Sequence, residues 1–212
     1  MKRSVSVACL MMAGVLFAGK TPVMVSLVTP VQVPSCDYDV TGLRLSLIYG
    51  ECREFTGLDI GIVDYTAKDF TGIAIGGVNI AGGQLYGGQI GLVNWNSNGA
   101  TEWARRSSGA QIGLLNYGNT FTGLQEGVAN IANGTFMGLQ SGFLNCAHNV
   151  SGLQCGYWFL LGVNMASGNL RGGQIGLVNY ANKVEAGLQI GLINIIERNG
   201  WAPVLPIVNG HF

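Results

Sequence analysis

The chain has 212 residues, of which 10% are charged and 34 are glycine, and its formal net charge is zero. This length suffices for one domain with a substantial core, and ample Val, Ile and Leu with few prolines exclude a disordered chain. Because no basic cluster is present, the composition also excludes a nucleic-acid partner.

Residues 1–19 are predicted to form a signal peptide. Lys2 and Arg3 precede an apolar run from Val5 to Ala18, and the small residues at the end of this run suit a cleavage site. The run is too short for a membrane-spanning helix. We therefore expect an exported protein.

A glycine-rich unit of about fifteen residues recurs ten times. With the opening glycine of each unit numbered as position zero, Gln fills position two in seven units and Asn fills position seven in seven units. Leu or Ile occupies the intervening positions, and this period of two predicts β-strands. The opening glycines are Gly42, Gly57, Gly72, Gly87, Gly109, Gly123, Gly138, Gly152, Gly172 and Gly187.

Further strands are predicted on either side of the repeats, at Val23–Val33 and at Trp201–Asn209. The chain is accordingly divided into a signal peptide at 1–19, an N-terminal strand and lead-in at 20–41, ten β repeats at 42–195 and a C-terminal strand at 196–212.

The first architecture that fits is all-β, an antiparallel meander of ten to twelve strands closed as a barrel. Dipeptides such as Asn133-Gly134 are typical of two-residue hairpins, which would place Ile131 opposite Phe136. The two short steps between opening glycines follow odd-numbered units, and the two long steps follow even-numbered units. Outer-membrane barrels show this parity, because they have short turns at one end and long loops at the other.

The second architecture is a β-solenoid with one coil per 15-residue repeat. The recurring Gln and Asn favour it, because identical positions stack in register there. Pro30, Pro34, Pro203 and Pro206 near the two ends are edge-strand features, which suit the caps of a solenoid better than the seam of a barrel. We take the meander closed as a barrel as the prediction and the solenoid as its alternative.

The barrel would place the Leu/Ile face against outer-membrane lipid and the Gly/Gln face inside. Arg44 and Asp59 occupy position two of adjacent units, which suits an interior ion pair, although two solvated charges fit the pattern equally well. Glu126, Ser141 and Cys155 interrupt the apolar face at position three of three consecutive units. They predict either a homo-oligomer interface or a face that does not contact lipid.

No catalytic motif, cofactor loop or metal site is recognisable, so a non-enzymatic protein without cofactors is expected. Cys36 and Cys52 are the best candidates for a disulfide, although small apolar packing residues are as good an interpretation. The longest insertion, "WNSNGATEWARRSSG", is either a solvated loop or a contact loop for an unidentified ligand. Its candidate contact residues are Trp95, Trp103, Arg105 and Arg106.

Three segments carry a resemblance to a known family: the "GLQIGLVN"-like units, the lead-in "DVTGLRLSLIYGE" and the tail "PVLPIVNGHF". Together they resemble the bacterial surface-repeat proteins of spirochaetes and other didermic bacteria, over Ser26–Phe212, which is nearly the whole chain after the predicted signal peptide. The resemblance implies an exported outer-membrane or cell-surface protein with a structural or interaction role. It implies no catalytic residue. A secreted or peripheral solenoid that binds a partner is the alternative function.

Overall fold

The computed structural model describes residues 19–97, 106–157 and 161–212, and all regular structure in these ranges is β. No helix among these residues is long and apolar enough to cross a membrane. The strands are β1 (Lys20–Val28), β2 (Val31–Val33), β3 (Asp39–Cys52), β4 (Phe55–Thr66), β5 (Phe70–Ala81), β6 (Leu85–Ile90), β7 (Val93–Asn96), β8 (Ser107–Gly118), β9 (Phe121–Gly142), β10 (Leu144–Gly156), β11 (Val163–Ile175), β12 (Val178–Arg198) and β13 (Val204–His211).

Neighbouring repeats pair in parallel and in register. Gly57 pairs with Gly72, for example, and Asn130 pairs with Asn145. The chain is therefore a β-solenoid of about 11 turns, in which each repeat is one coil. The predicted antiparallel meander and its closure as a barrel are wrong, and the solenoid alternative is confirmed.

The Asn133-Gly134 turn shows why the hairpin prediction failed. Ile131 pairs with Cys146 of the next coil rather than with Phe136. The turn carries the chain from one sheet to a facing sheet, which lies about twice as far away as a hydrogen-bonded neighbour. A corner of this kind uses the same Asn and Gly residues as a hairpin, so the turn chemistry alone does not fix strand direction.

The irregular steps between opening glycines have a different cause from the predicted parity. Both short steps and the longest step change the length of one corner of the coil, as at Asn119-Thr120 and His148-Asn149. The remaining step adds five residues, 157–161, at the other corner, between Gly156 and Gly162. Corners tolerate such changes because the strands on either side keep their register.

Each coil consists of two strand segments facing each other across a thin interior. The first sheet carries positions minus two to four and the second carries positions six to nine. The buried apolar side chains form one cluster, in which Phe55 stacks on Phe70 at 5.0 Å between ring centroids. The apolar column of the first sheet contains Val40, Phe55, Phe70, Leu85, Phe121, Phe136, Val150, Leu170 and Val184.

Position zero requires glycine for two reasons that the structure makes explicit. At Gly57 φ is 138°, in a region that L-residues rarely adopt. A methyl group there would also collide with the carbonyl oxygen of Gly42 in the preceding coil. The recurrent opening glycine is therefore a steric requirement of coil stacking.

Antiparallel strands cap both ends of the solenoid in the described part of the chain. At the N-terminal end β2 pairs with β1 in antiparallel fashion, and at the C-terminal end β13 pairs with β12 in the same way. Proline residues near β2 and within β13 lack an N–H donor and so discourage further strand addition.

Candidate functional site

The interior is polar along its centre, where glutamine side chains form a continuous ladder. Each Gln after Gln89 donates from Nε2 to Oε1 of the Gln in the preceding coil, at 2.6–2.9 Å. All of these side chains are fully buried. The ladder contains Gln89, Gln111, Gln125, Gln140, Gln154, Gln174 and Gln189.

Asparagines form a second ladder that runs the opposite way, because each Nδ2 donates to Oδ1 of the following coil at 2.8–2.9 Å. The amide orientation is fixed by a second bond to a backbone carbonyl, as from Asn116 to Glu126 O at 2.8 Å. Asn164 belongs to this ladder but was missed in the sequence, because the insertion 157–161 shifts it out of position seven. The members are Asn79, Asn94, Asn116, Asn130, Asn145, Asn164, Asn179 and Asn194.

The structure brings Arg44 and Asp59 together in the first coils, where the ladders stop. The Arg44 Nε donates to Asp59 Oδ1 at 2.8 Å, a second bond joins Nη2 to Oδ2, and both side chains are buried. The guanidinium also donates to the carbonyl of Tyr65 at 2.8 Å and lies over the Phe55 ring. Bidentate pairing of this kind satisfies a buried charge.

Asp64 lies beside this pair, with one carboxylate oxygen 3.9 Å from Arg44 Nε. The five-residue separation of Asp59 and Asp64 predicts opposite faces of one strand, but both point inward, because the chain turns a corner between them. Burial, and secondarily the neighbouring Asp59, raises the pKa of Asp64 to about 7. Both Asp64 oxygens, Ser46 Oγ and Asn79 Oδ1 are buried without hydrogen-bond partners.

The outside of the solenoid is apolar along the corner at position five. We call this corner the ridge, and its most exposed members are Leu47 (64%), Leu192 (63%) and Leu92 (60%). The first face, formed by positions one and three of the first sheet, continues this surface with residues such as Ile73 and Ile90. The ridge consists of Leu47, Ile62, Leu92, Leu114, Val128, Phe143, Leu177 and Leu192.

The opposite corner of each coil is polar, and we call it the polar edge. It carries charges such as Lys68, whose Nζ lies 3.7 Å from Glu54 Oε1. Between the ridge and this edge, position eight of the second sheet holds aromatic side chains that include Trp95 and Tyr117, stacked at 3.8 Å. The polar edge consists of residues 53–54, 67–69, 82–84, 119–120, 133–135, 148–149, 167–169 and 182–183.

The candidate contact loop does not form one patch in the part that the structure describes. Trp95 lies on the second sheet, whereas Arg106 reaches Met137 on the first sheet, with Nη1 3.3 Å from Sδ. Trp103 and Arg105 lie outside the described residues. At the base of the loop, Ser107 Oγ donates to Asn96 Oδ1 at 2.6 Å. Ser107 occupies the column that is apolar in the other coils, so this polar pair takes the place of an apolar core contact in this coil.

Glu126, Ser141 and Cys155 stack in one column of adjacent coils, as their common position predicts. Glu126 is exposed and Ser141 is half-buried, but Cys155 is only 7% exposed within the monomer. The column ends beside the insertion at 157–161, where burial and then the charge of Glu126 raise the pKa of Tyr157. The polar break in the first face therefore coincides with the insertion.

The predicted Cys36–Cys52 disulfide is not formed, and all four cysteines of the described chain are free thiols. Cys52 is buried under Arg44, whose Nη1 lies 3.1 Å from Sγ, while Cys36 lies in the lead-in and is half-buried. Burial raises the pKa of Cys52 to about 11. Burial likewise raises the pKa of Cys146 and of Cys155, so these thiols are protonated and poor nucleophiles.

A groove of about 160 Å³ near the polar edge brings His148 close to Cys146 and Ser167. His148 Nδ1 lies 3.1 Å from Ser167 Oγ, an arrangement that the sequence did not reveal. Within the described residues, His148 has no carboxylate partner to orient it as in a catalytic triad. The described residues also contain no group of three or more His, Cys, Asp or Glu side chains that could hold a metal ion.

The chain matches no protein-family model, no curated protein and no solved structure. Its fold and side chains therefore carry the functional argument.

Proposed function

We propose that this chain is a non-enzymatic, peripheral β-solenoid that binds a partner through its ridge and first face. The observation that carries the proposal is the row of exposed aliphatic side chains along successive coils, outside an interior whose centre is occupied by amide ladders. Soluble monomers rarely expose a continuous apolar surface of this extent, and such surfaces mark interaction sites.

The ionisable and nucleophilic groups of the described chain also favour a binding role over catalysis. The clustered ionisable groups Arg44, Asp59 and Asp64 are buried and bonded to one another, where no substrate can reach them. The accessible His148–Ser167 pair has neither an orienting carboxylate among the described residues nor a deep pocket. Export through the signal peptide at 1–19, and a cell-surface location, are part of the proposal.

Detergent phase partitioning tests the proposal. The protein used for the test comprises residues 20–212. This segment contains all the described strands and lacks the apolar run Val5–Ala18. In Triton X-114 the folded protein should enter the detergent-rich phase. A triple variant, Ile62→Ser, Leu92→Ser and Leu114→Ser, should move to the aqueous phase, because it removes three ridge side chains.

The matched control is Trp201→Ser, which removes a large side chain, 54% exposed, from the turn that follows Arg198 at the polar edge. This variant should partition like the parent protein. Circular dichroism verifies that each variant keeps its β-structure. A parent protein that stays in the aqueous phase would refute the proposed function.

A further inference from the structure

The ridge, the aromatic positions and the polar edge succeed one another in a fixed order around the coil. On the second sheet, apolar residues at position six lie next to the ridge, and position eight lies next to the polar edge. Position eight is aromatic in four coils, at Tyr65, Trp95, Tyr117 and Tyr180, and mostly aliphatic in the others, as at Ile80 and Ile131. Position eight is three residues from the ridge, or about 10 Å along the strand. Peripheral helices bury their apolar faces to about this depth in the boundary between headgroups and acyl chains.

Two of the four aromatic side chains at position eight, Tyr117 and Tyr180, direct their hydroxyl groups toward the polar edge. Tyr117 Oη accepts a hydrogen bond from Asn133 Nδ2 at 2.6 Å, and Tyr180 Oη donates to Glu197 Oε1 at 2.8 Å. Each ring thus has an apolar body on the ridge side and a bonded hydroxyl on the polar side. Tyr and Trp take this orientation at the interface of a membrane with water.

The charged side chains of the described residues are distributed in the same order around the coil, from almost none at the ridge and first face to both signs at the polar edge. In the described chain, Glu126 is the only charged side chain at positions one, three or five, whereas the polar edge carries both signs, as in the pair of Lys68 and Glu54. A charge-free corner opposite a corner of mixed charge is complementary to uncharged hydrocarbon beneath polar headgroups. It offers nothing that would select an anionic surface.

The shape of the ridge distinguishes a fluid partner from a second copy of the chain. The ridge lies at a corner of the coil and runs from Leu47 in the first repeat to Leu192 in the tenth, about 45 Å. Two ridges that meet edge to edge touch along a line and bury little area, whereas a stable dimer needs about 800 Å² from each partner and would have to use the first face as well. Acyl chains can surround a corner of this kind on both sides.

We infer that the ridge and first face bind the surface of a lipid bilayer, with the ridge side chains entering the acyl region and position eight at headgroup depth. This inference rests on the proposed function and names its partner. The binding depends on apolar burial, so it requires no anionic lipid and resists salt.

Flotation with phosphatidylcholine vesicles tests the inference, again with residues 20–212. The parent protein should float with the vesicles at both low and high salt. The Ile62→Ser, Leu92→Ser, Leu114→Ser variant should lose binding about tenfold or more, because its apolar contact area is reduced. Trp201→Ser should float like the parent.

A gain-of-binding variant separates lipid contact from misfolding. Glu126→Leu removes the one described charge on the first face and should increase flotation several-fold, because a carboxylate opposes entry into lipid. A Lys68→Leu change at the polar edge should leave flotation unchanged. If Glu126→Leu does not increase flotation, the first face does not contact lipid and the inference is wrong.

Three other results would also overturn the inference. Binding only to vesicles with anionic lipid, reversed by salt, would show an electrostatic mode. Detergent partitioning without flotation would leave the proposed function intact and exclude a bilayer as the partner. A dimer in sedimentation velocity that the ridge variant dissociates, again without flotation, would identify a second copy as the occupant.

Discussion

Asp64 stands in the asparagine column immediately before Asn79, and its carboxylate and Asn79 Oδ1 both lie beside Gly76. An ionised carboxylate cannot donate to this unpaired Oδ1. A protonated Asp64 could make this bond and would satisfy one orphan oxygen on each residue. The pKa of about 7 makes this neutral form accessible near physiological pH. We therefore regard Asp64 as a carboxylic acid that begins the ladder.

The sign of the pH dependence follows from the direction of this shift. Folding raises the pKa of Asp64 from 3.8 to about 7, so the folded state binds the proton more tightly. The contribution to stability is complete below pH 3.8, declines as the pH rises toward 7, and is absent above that value. The slope in this window is at most about 1.4 kcal/mol per pH unit.

Asp64→Asn should remove this pH dependence and stabilise the protein at pH values well above the pKa of Asp64. The amide supplies a donor to Asn79 Oδ1 and removes a buried charge, which is worth about 1–3 kcal/mol. Urea denaturation of the parent and the variant across the window from acid to alkaline pH measures the difference. Equal pH dependence in the two proteins would contradict the assignment of the proton to Asp64.

Asp59→Asn should destabilise the protein, although it is the same chemical change as Asp64→Asn, made on the other side of the corner in the same coil. It removes the bidentate partner of Arg44 and leaves a buried guanidinium without its counter-charge. We expect a loss of about 3–5 kcal/mol in the free energy of unfolding, measured by urea denaturation at neutral pH. A stabilised Asp59→Asn would show that Arg44 is paired mainly with Asp64.

At the scale of one coil, two adjacent glycines have different roles. Gly87 has φ of 131°, and a side chain there would strike the carbonyl of Gly72. At Gly88 the nearest atom to an added methyl group is the Ala110 carbonyl oxygen, at 4.0 Å. Only the first of these glycines is required by the stacking of coils.

Gly87→Ala should therefore destabilise the solenoid by about 3 kcal/mol or more, since it combines backbone strain with a backbone collision. Gly88→Ala should be neutral or stabilise by about 0.4–1 kcal/mol, because it restricts the unfolded chain at no cost in the folded state. Thermal unfolding of both variants measures the contrast. Similar losses at the two positions would mean that any methyl group disturbs this strand.

The sequence predicts the repeat unit that forms each coil, but it does not predict whether neighbouring repeats pair in parallel or antiparallel fashion. The repeat length, the inward Gln column and the outward Leu and Ile of the first sheet follow from the period of two, whereas the Asn column at position seven has the opposite parity and points inward only because a corner intervenes. Parallel pairing does not follow, because Asn133-Gly134 suits a corner as well as a hairpin. The inward direction of Asp64 was also hidden, since a corner between Asp59 and Asp64 breaks the strand alternation. When the repeats are aligned, Asp64 occupies the same position seven as the asparagines. This shared position was the signal that Asp64 points the same way as they do.

At the scale of the whole molecule, stability is a sum of contacts between successive coils, so the two ends need protection. At the C-terminal end, β13 pairs with β12 in antiparallel fashion, and Asn209 bonds to the carbonyl of Ala202 at 2.8 Å. Removal of this cap would expose the backbone donors and acceptors of β12, together with the ends of both amide ladders. At the N-terminal end, β2 would still pair with the second half of β1, at Val25, Ser26 and Val28.

Deletion of residues 199–212 should consequently produce a closed dimer. The exposed β12 accepts an antiparallel strand in the place of β13, and the β12 of a second truncated copy satisfies both edges through a two-fold axis. Because the N-terminal cap remains, association should stop at two copies and should not yield fibres. Sedimentation velocity of the truncated and intact chains tests this. The control Ile207→Ser, at a β13 residue that is 72% exposed, keeps the cap and should sediment like the intact chain. Open-ended fibres from the truncated chain would show that β2 does not protect the N-terminal end.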